Sequence, residues 1–204
     1  MANITEAFGL KPVRHLNGSN WNGQTQLCYV SASYGTALFV GDPVLWTTAA
    51  VEKEAGGLLP TINASAGTAG LIIRGVITSF EPLRTDLSKQ YNPASTERYA
   101  HVCMDSSVVY QIRGDGFAAL TDVVVGLNAV MIETGGTGDT VTGLSGFHLD
   151  EGTTTAPATT QDFTLHILNV LDQADNEFAK NMIYEVLLNT CENATGKYAG
   201  VTAA

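Results

Sequence analysis

Apolar residues in this chain recur at alternate positions, in short runs cut by glycine, proline, asparagine and aspartate. That spacing is the mark of half-buried β-strands separated by turns. The densest run is Leu71–Phe80, closed by Glu81 and Pro82. At period two, Ile72, Val76 and Phe80 share one face with Arg74 and Thr78, while Leu71, Ile73 and Ile77 share the other with Gly75 and Ser79. Both faces are apolar, which predicts a central strand, or one whose outer face meets something else. Gly75, in the middle of the run, marks a bulge, a bend or a close backbone approach. Pro82 has no N–H to donate, so pairing is expected to stop there.

Residues 1–24 lack this alternation. Phe8, Leu10, Val13, Leu16 and Trp21 are scattered among glycines and asparagines, which predicts an extended N-terminal arm lying on a surface, its own or a neighbour's. Large aromatics are worth most when buried, and this argues against a frayed terminus. Residues 25–204 are expected to form one β domain. Its predicted strands are Gln24–Ser31, Leu38–Thr47 with a break at Gly41-Asp42-Pro43, the short apolar run Leu58–Ile62, Asn128–Glu133, Phe147–Leu149 and Phe163–Leu171. Tyr99–Met104 and Ser107–Arg113 read as a hairpin joined at Asp105-Ser106 and closed by Gly114-Asp115-Gly116. Met182–Leu188 reads as a strand, although Phe178, Met182 and Val186 also fit a helical stripe. Residues 117–125 suit either a helical turn or a strand.

Four connecting stretches stand out. Arg84–Arg98 is a long polar loop, of the length that is usually functional or mobile. Thr134–Gly146 reads as a glycine-threonine loop, Glu151–Thr160 as an exposed low-complexity segment, and Asp172–Glu177 as an acidic turn. Many short strands and no alternating helices predict an all-β sandwich or barrel, jelly-roll-like, with an extended arm and long loops.

Composition narrows the function classes. Hydrophobic residues make up 45% and charged residues only 15% of the 204, the opposite of a disordered chain. The net charge of −10 repels phosphate backbones and supplies no polybasic membrane footprint, so neither nucleic acid nor membrane is an expected partner. Cys28, Cys103 and Cys191 are widely spaced and form no C-x-x-C pair, so buried free thiols are expected rather than a metal site. The N-terminus lacks a signal-peptide apolar core, and no run approaches the ~18 apolar residues of a membrane span. Synthesis and folding in a cytoplasm are expected.

Candidate chemistry is sparse. Arg113-Gly114-Asp115 spells an integrin-ligand tripeptide but is equally a turn. Gly135-Gly136-Thr137-Gly138-Asp139 approximates one calcium-binding nonapeptide, with its spacing short by one residue and without the neighbouring copies such cages need. The acidic turn lacks the glycine and the final glutamate of an EF-hand loop. His15, His101, His148 and His166 are far apart, and neither a nucleophile elbow nor a phosphate-binding loop is present. The sequons at Asn3, Asn17, Asn63 and Asn193 are expected to be unused without a secretory signal. No enzyme activity, cofactor or metal is expected.

A set of turn-and-strand signatures carries a resemblance. It comprises Gly41-Asp42-Pro43-Val44 followed by a small-residue linker, Gly75–Pro82, Tyr91–Tyr99, Gly126-Leu127-Asn128-Ala129, Gly143-Leu144-Ser145-Gly146 and Gly152–Pro157. Together, over roughly residues 30–190, the chain resembles the head decoration, or cement, proteins of tailed bacteriophages, encoded beside the major capsid protein. The resemblance implies a β-rich, non-enzymatic virion protein on the outer capsid surface, made in the host cytoplasm. Its implied partners are the major capsid protein and itself, as a homotrimer. The residues expected to anchor it are Phe8, Leu10 and Trp21 in the arm and Tyr91 in the long loop. The alternative is a virion-surface host-binding or adhesion module using Arg113–Asp115 or the Thr153–Thr160 loop.

Overall fold

The computed structural model describes residues 3, 5–52, 58–116 and 124–191. Most of the 117–125 segment, and the tail with its Asn193 sequon, lie outside the described residues. The chain is all-β, with no helix among the described residues beyond a single 3-10 position. The strands are β1 (Lys11–His15), β2 (Gln26–Val30), β3 (Pro43–Glu52), β4 (Leu58–Ala64), β5 (Gly75–Phe80), β6 (Arg98–Cys103), β7 (Val108–Arg113), β8 (Asn128–Ala129), β9 (Met131–Gly138), β10 (Ser145–Leu149), β11 (Leu165–Val170) and β12 (Ile183–Leu188). A closed barrel runs β2-β4-β3-β5-β6, a five-stranded sheet runs β1-β7-β12-β11-β8, and β9 pairs with β10.

Val76 and Ile77 face two different cores, but the expected faces do not hold along the whole run: Ile72 is exposed, Ile73 joins Val76, and Phe80 packs with Ile77 past a register shift. Ile77 points into the barrel with Cys28, Val30, Leu38, Val44, Ile62, Ala100 and Val102. Val76, one residue earlier, joins the larger core built on Tyr110, Ile112, Leu165, Ile167, Tyr184 and Val186. The neighbouring strand β6 alternates in the same way, with Val102 inward and Cys103 outward. The β5–β6 wall therefore belongs to both cores, as the period-two geometry of a strand allows.

Several expectations are corrected. The strand in Leu71–Phe80 begins only at Gly75. There the close approach is real, because a Cβ at Gly75 would overlap the Cys103 carbonyl and lie 2.7 Å from Val102 Cγ1. The preceding residues turn to the chain's end instead: the Ile73 N–H donates to the Thr190 carbonyl at 2.8 Å and the Thr190 hydroxyl to the Leu71 carbonyl at 2.6 Å. β6 and β7 are not a hairpin. β6 pairs with β2 and β5 in the barrel, and β7 with β1 and β12 in the sheet. Asp105-Ser106 is thus the crossing between the two units, where Asp105 caps the turn by accepting the Ser107 N–H at 2.8 Å. Residues 183–188 form a strand between β7 and β11, which settles their helical ambiguity. The start of the glycine-threonine loop is not a loop, since Met131–Gly138 is strand β9 paired to β10.

Within residues 1–24, Lys11–His15 forms the outer strand of the five-stranded sheet, with Lys11 opposite Gln111 and Pro12 opposite Tyr110. The 17–21 turn folds back along it, the Trp21 N–H reaching the Val13 carbonyl at 3.3 Å. Arg14 pairs with Glu185 at 2.8 Å across the sheet.

Candidate functional site: a cleft beneath the N-terminal arm

The arm reaches its seat through two glycines. Gly9 and Gly41 both have positive φ, 66° and 98°, a region costly for residues with a Cβ. A Cβ at Gly9 would lie 2.5 Å from Ser145 Cβ and 2.6 Å from the Gly41 carbonyl oxygen. The Leu10 N–H donates to that same carbonyl at 3.0 Å. Arm, barrel and the β9–β10 hairpin are thus pressed together at residues 8–10, 40–42 and 143–145.

Beside this junction opens a cavity of about 600 Å³, within the size range of ligand-binding clefts. Phe8, Leu10 and Trp21 line it from the arm, Val40 and Ile77 from the barrel and Leu144 from the hairpin. Lys11 and Gln111, cross-strand neighbours, supply polar groups. Among the described residues the lining contains no carboxylate, histidine or cysteine, so its chemistry is that of an apolar seat with one cation, Lys11.

Three of the four expected anchors therefore meet at one place, in different states. Leu10 is 1% exposed and belongs to the chain's own larger core, where Trp21 packs half-buried against it. Phe8 is half-buried, with the Arg113 guanidinium 5.6 Å from its ring centroid. Tyr91 is not part of the cleft. It stacks on Phe39 at 5.1 Å and 11°, holding the long loop to the barrel.

The motif-like stretches are absorbed into structure. Arg113 is buried and donates to the Asn181 carbonyl at 3.2 Å, and the Asp115 N–H donates to Leu149 at 3.0 Å. The tripeptide is therefore built into a strand end rather than displayed at a loop tip. Asp139 spends its carboxylate on the Val141 N–H and the Thr142 hydroxyl, at 2.8 and 2.9 Å. Asn176 closes the acidic turn by donating to the carbonyls of Leu171 and Ile183 and accepting the Ile183 N–H. The threonine-rich segment is not simply exposed at its start. Glu151 is buried, accepting the Tyr184 hydroxyl at 2.8 Å and the Gly116 N–H at 3.0 Å. Buried Asp150 gathers the N–H groups of Gly152, Thr154 and Thr155.

The four histidines stay dispersed. His148 donates to the Gly146 carbonyl at 3.1 Å and His166 lies 2.7 Å from the Asn128 amide oxygen, and burial lowers the pKa of both. The cysteines are buried free thiols; burial pushes Cys28 up to about 12, which favours the inert thiol. Among the described residues no three histidine, cysteine, aspartate or glutamate side chains gather as metal ligands.

Two side chains that matter here were not singled out by sequence pattern: Asp42 at the junction and Arg98 beneath the long loop. For Asp42 the signal was its place between Gly41 and Pro43, a turn in which the aspartate side chain can bond its own backbone. A scan against protein-family models matched none, and searches of curated proteins and of solved structures each gave no significant match.

Proposed function

We propose that the chain is a non-enzymatic structural and binding protein of a virion. More particularly, we infer a head decoration protein of a tailed bacteriophage, attached to the outer capsid surface across contacts between major capsid subunits. It takes no cofactor, and three-fold association with copies of itself accompanies attachment.

The observation that supports this reading most is the cleft. It presents two half-buried aromatic side chains, Phe8 and Trp21, on an apolar floor, the composition typical of residues that dominate protein–protein binding. The acidic surface favours the outside of a capsid over the face that meets packaged DNA. Rigid turns tied by side-chain-to-backbone bonds suit a protein that docks without reorganising. The adhesion alternative is weakened, because Arg113 is buried.

The test mixes purified protein with undecorated heads and images them by electron microscopy. Regular density at capsomer junctions is expected, with no binding to host cells. Trp21→Ala and Phe8→Ala are each expected to weaken sub-saturating attachment by roughly thirtyfold, the equivalent of about 2 kcal/mol per site. Circular dichroism of the free variants checks that they remain folded. Bare heads at saturating protein, or variants that decorate as well as the parent, would overturn the assignment.

A further inference from the structure

The junction beneath the arm contains a buried carboxylate whose hydrogen bonding is incomplete. Asp42 is 2% exposed. Its Oδ2 accepts the Phe39 N–H at 2.8 Å, and the Ser145 hydroxyl bonds to the carboxylate from β10. Its Oδ1 is buried with no hydrogen-bond partner. An ionised oxygen in that position is costly, whereas a neutral carboxyl group is far less so.

The backbone around Asp42 ties three elements together. Its carbonyl accepts the Ile77 N–H of β5 at 3.0 Å. The adjacent Gly41 carbonyl holds the arm at Leu10, and the Val40 carbonyl holds the hairpin by accepting the Ser145 N–H at 2.9 Å. Whatever strains Asp42 is therefore felt at the arm and the hairpin, the two walls of the cleft.

We propose that Asp42 is a proton-linked latch: neutral, it holds arm, barrel and hairpin closed; ionised, it loosens the arm at Leu10 and the hairpin at Ser145. The inference does not rest on the virion reading and is tested on the free protein.

Burial pushes the Asp42 carboxyl up to about 7, outweighing the Ser145 and Phe39 bonds that lower it, and Glu133 on β9 adds a like charge. Other charged or titratable groups near the junction are Glu6 and Lys11, which flank residues 8–10 on the arm, Arg113 against the Phe8 ring, Tyr91 stacked on Phe39, Asp139, whose backbone bonds Gly143 and Leu144, and His148 on β10; residues 38–41 and β5 carry none. A carboxyl raised in the closed state binds its proton more tightly there than in an opened one. Its stabilisation is complete below the ordinary aspartate value near 4 and is lost as pH rises to about 7. Glu133, also raised by burial, acts in the same direction. His148 and His166, lowered by burial, act oppositely, losing stability as pH falls through 6.5. The Asp42 contribution is isolated by comparison with Asp42→Asn.

The experiment measures carboxyl carbon chemical shifts by NMR, and amide hydrogen exchange at Leu10 and Ser145 from pH 5 to 8 corrected for intrinsic rates. The Asp42 carboxyl is expected to titrate near pH 7. The opening equilibrium at both amides should rise up to about tenfold per unit, roughly 50-fold from pH 5 to 7, then level off. In Asp42→Asn this rise should fall to the residual slope set by Glu133 and the histidines, while the Val186 amide, inside the sheet, stays protected in both proteins. A carboxyl midpoint near 4 would overturn the latch, and so would an unchanged pH dependence at the two amides in the variant. If the variant does not fold, the wild-type carboxyl titration decides alone.

Discussion

Arg98→Met is expected to lower the unfolding free energy by about 3–5 kcal/mol, mainly by releasing the 84–98 loop. The Arg98 guanidinium is buried beneath that loop and donates three hydrogen bonds to backbone carbonyls: Glu81 and Tyr91, each at 2.6 Å, and Lys89 at 2.9 Å. It also sits 5.2 Å from the Phe80 ring. Each charge-assisted bond contributes about 1.5–3 kcal/mol, and hydration of the freed carbonyls recovers part of the total. Methionine keeps the apolar stem and removes all three donors, so the loss reports the staple rather than packing. Lysine places one ammonium where a planar fork spans three carbonyls, and Arg98→Lys is expected to recover less than half of the loss. Denaturant unfolding reads the stability, and limited proteolysis reads the loop. In Arg98→Met cleavage should appear within residues 84–95 well below the global midpoint. A variant as protease-resistant as the parent would show that the Phe39–Tyr91 stack and the Leu38–Asn92 backbone bonds hold the loop without Arg98.

That staple illustrates what local sequence pattern reaches and where it stops. Alternation located some strands closely, and others less so: the expected Leu38–Thr47 strand runs Pro43–Glu52, and β1 lies in a stretch with no alternation. Leu165–Val170 falls inside the expected 163–171, and Arg98–Cys103 starts one residue before the expected Tyr99. Alternation reports which residues lie on opposite faces, a local property of the backbone. It does not report which strand pairs with which. β6 and β7 looked like a hairpin because only Asp105 and Ser106 separate two alternating runs, but each found its ladder in a different sheet. The same limit explains the site. Phe8 and Trp21 stood out because large aromatics in an irregular segment demand a surface to cover. The loop over Arg98 read as functional or mobile, and its staple was not legible because one arginine gives no sign that its fork will meet three carbonyls. The tripeptide at Arg113 read as equally a turn, and its place in a buried strand end was not legible because it depends on Asn181 and Leu149, far away in sequence. The two-faced run at residues 71–80 was legible only in part: Val76 and Ile77 do face different cores, but Ile73 joins Val76, Phe80 packs with Ile77 and Ile72 is exposed, because the strand begins only at Gly75 and the register shifts between Ile77 and Ser79.

Those two cores are expected to unfold as one, and Ile77→Ala is the substitution that tests it. Ile77 is fully buried in the barrel core, so its truncation should cost about 2–5 kcal/mol in lost transfer energy and residual cavity. The β5–β6 ladder places Val76 opposite Cys103 and Ile77 opposite Val102. Each of these pairs faces a different core, and slackening one face displaces the backbone that carries the other. The two tryptophans report the units separately: Trp46 lies on barrel strand β3, and Trp21 packs against the larger core. Fluorescence unfolding of Trp46→Phe and Trp21→Phe proteins should give coincident midpoints. Adding Ile77→Ala should then lower both by the same amount, although the cavity opens on the barrel side alone. Val76→Ala, on the opposite face of the same strand, should do likewise at a smaller cost of about 2 kcal/mol. If Ile77→Ala moves the Trp46 transition and leaves that of Trp21 in place, the shared wall does not couple the cores. The barrel and the sheet would then be separate cooperative units joined by a strand that belongs energetically to only one of them.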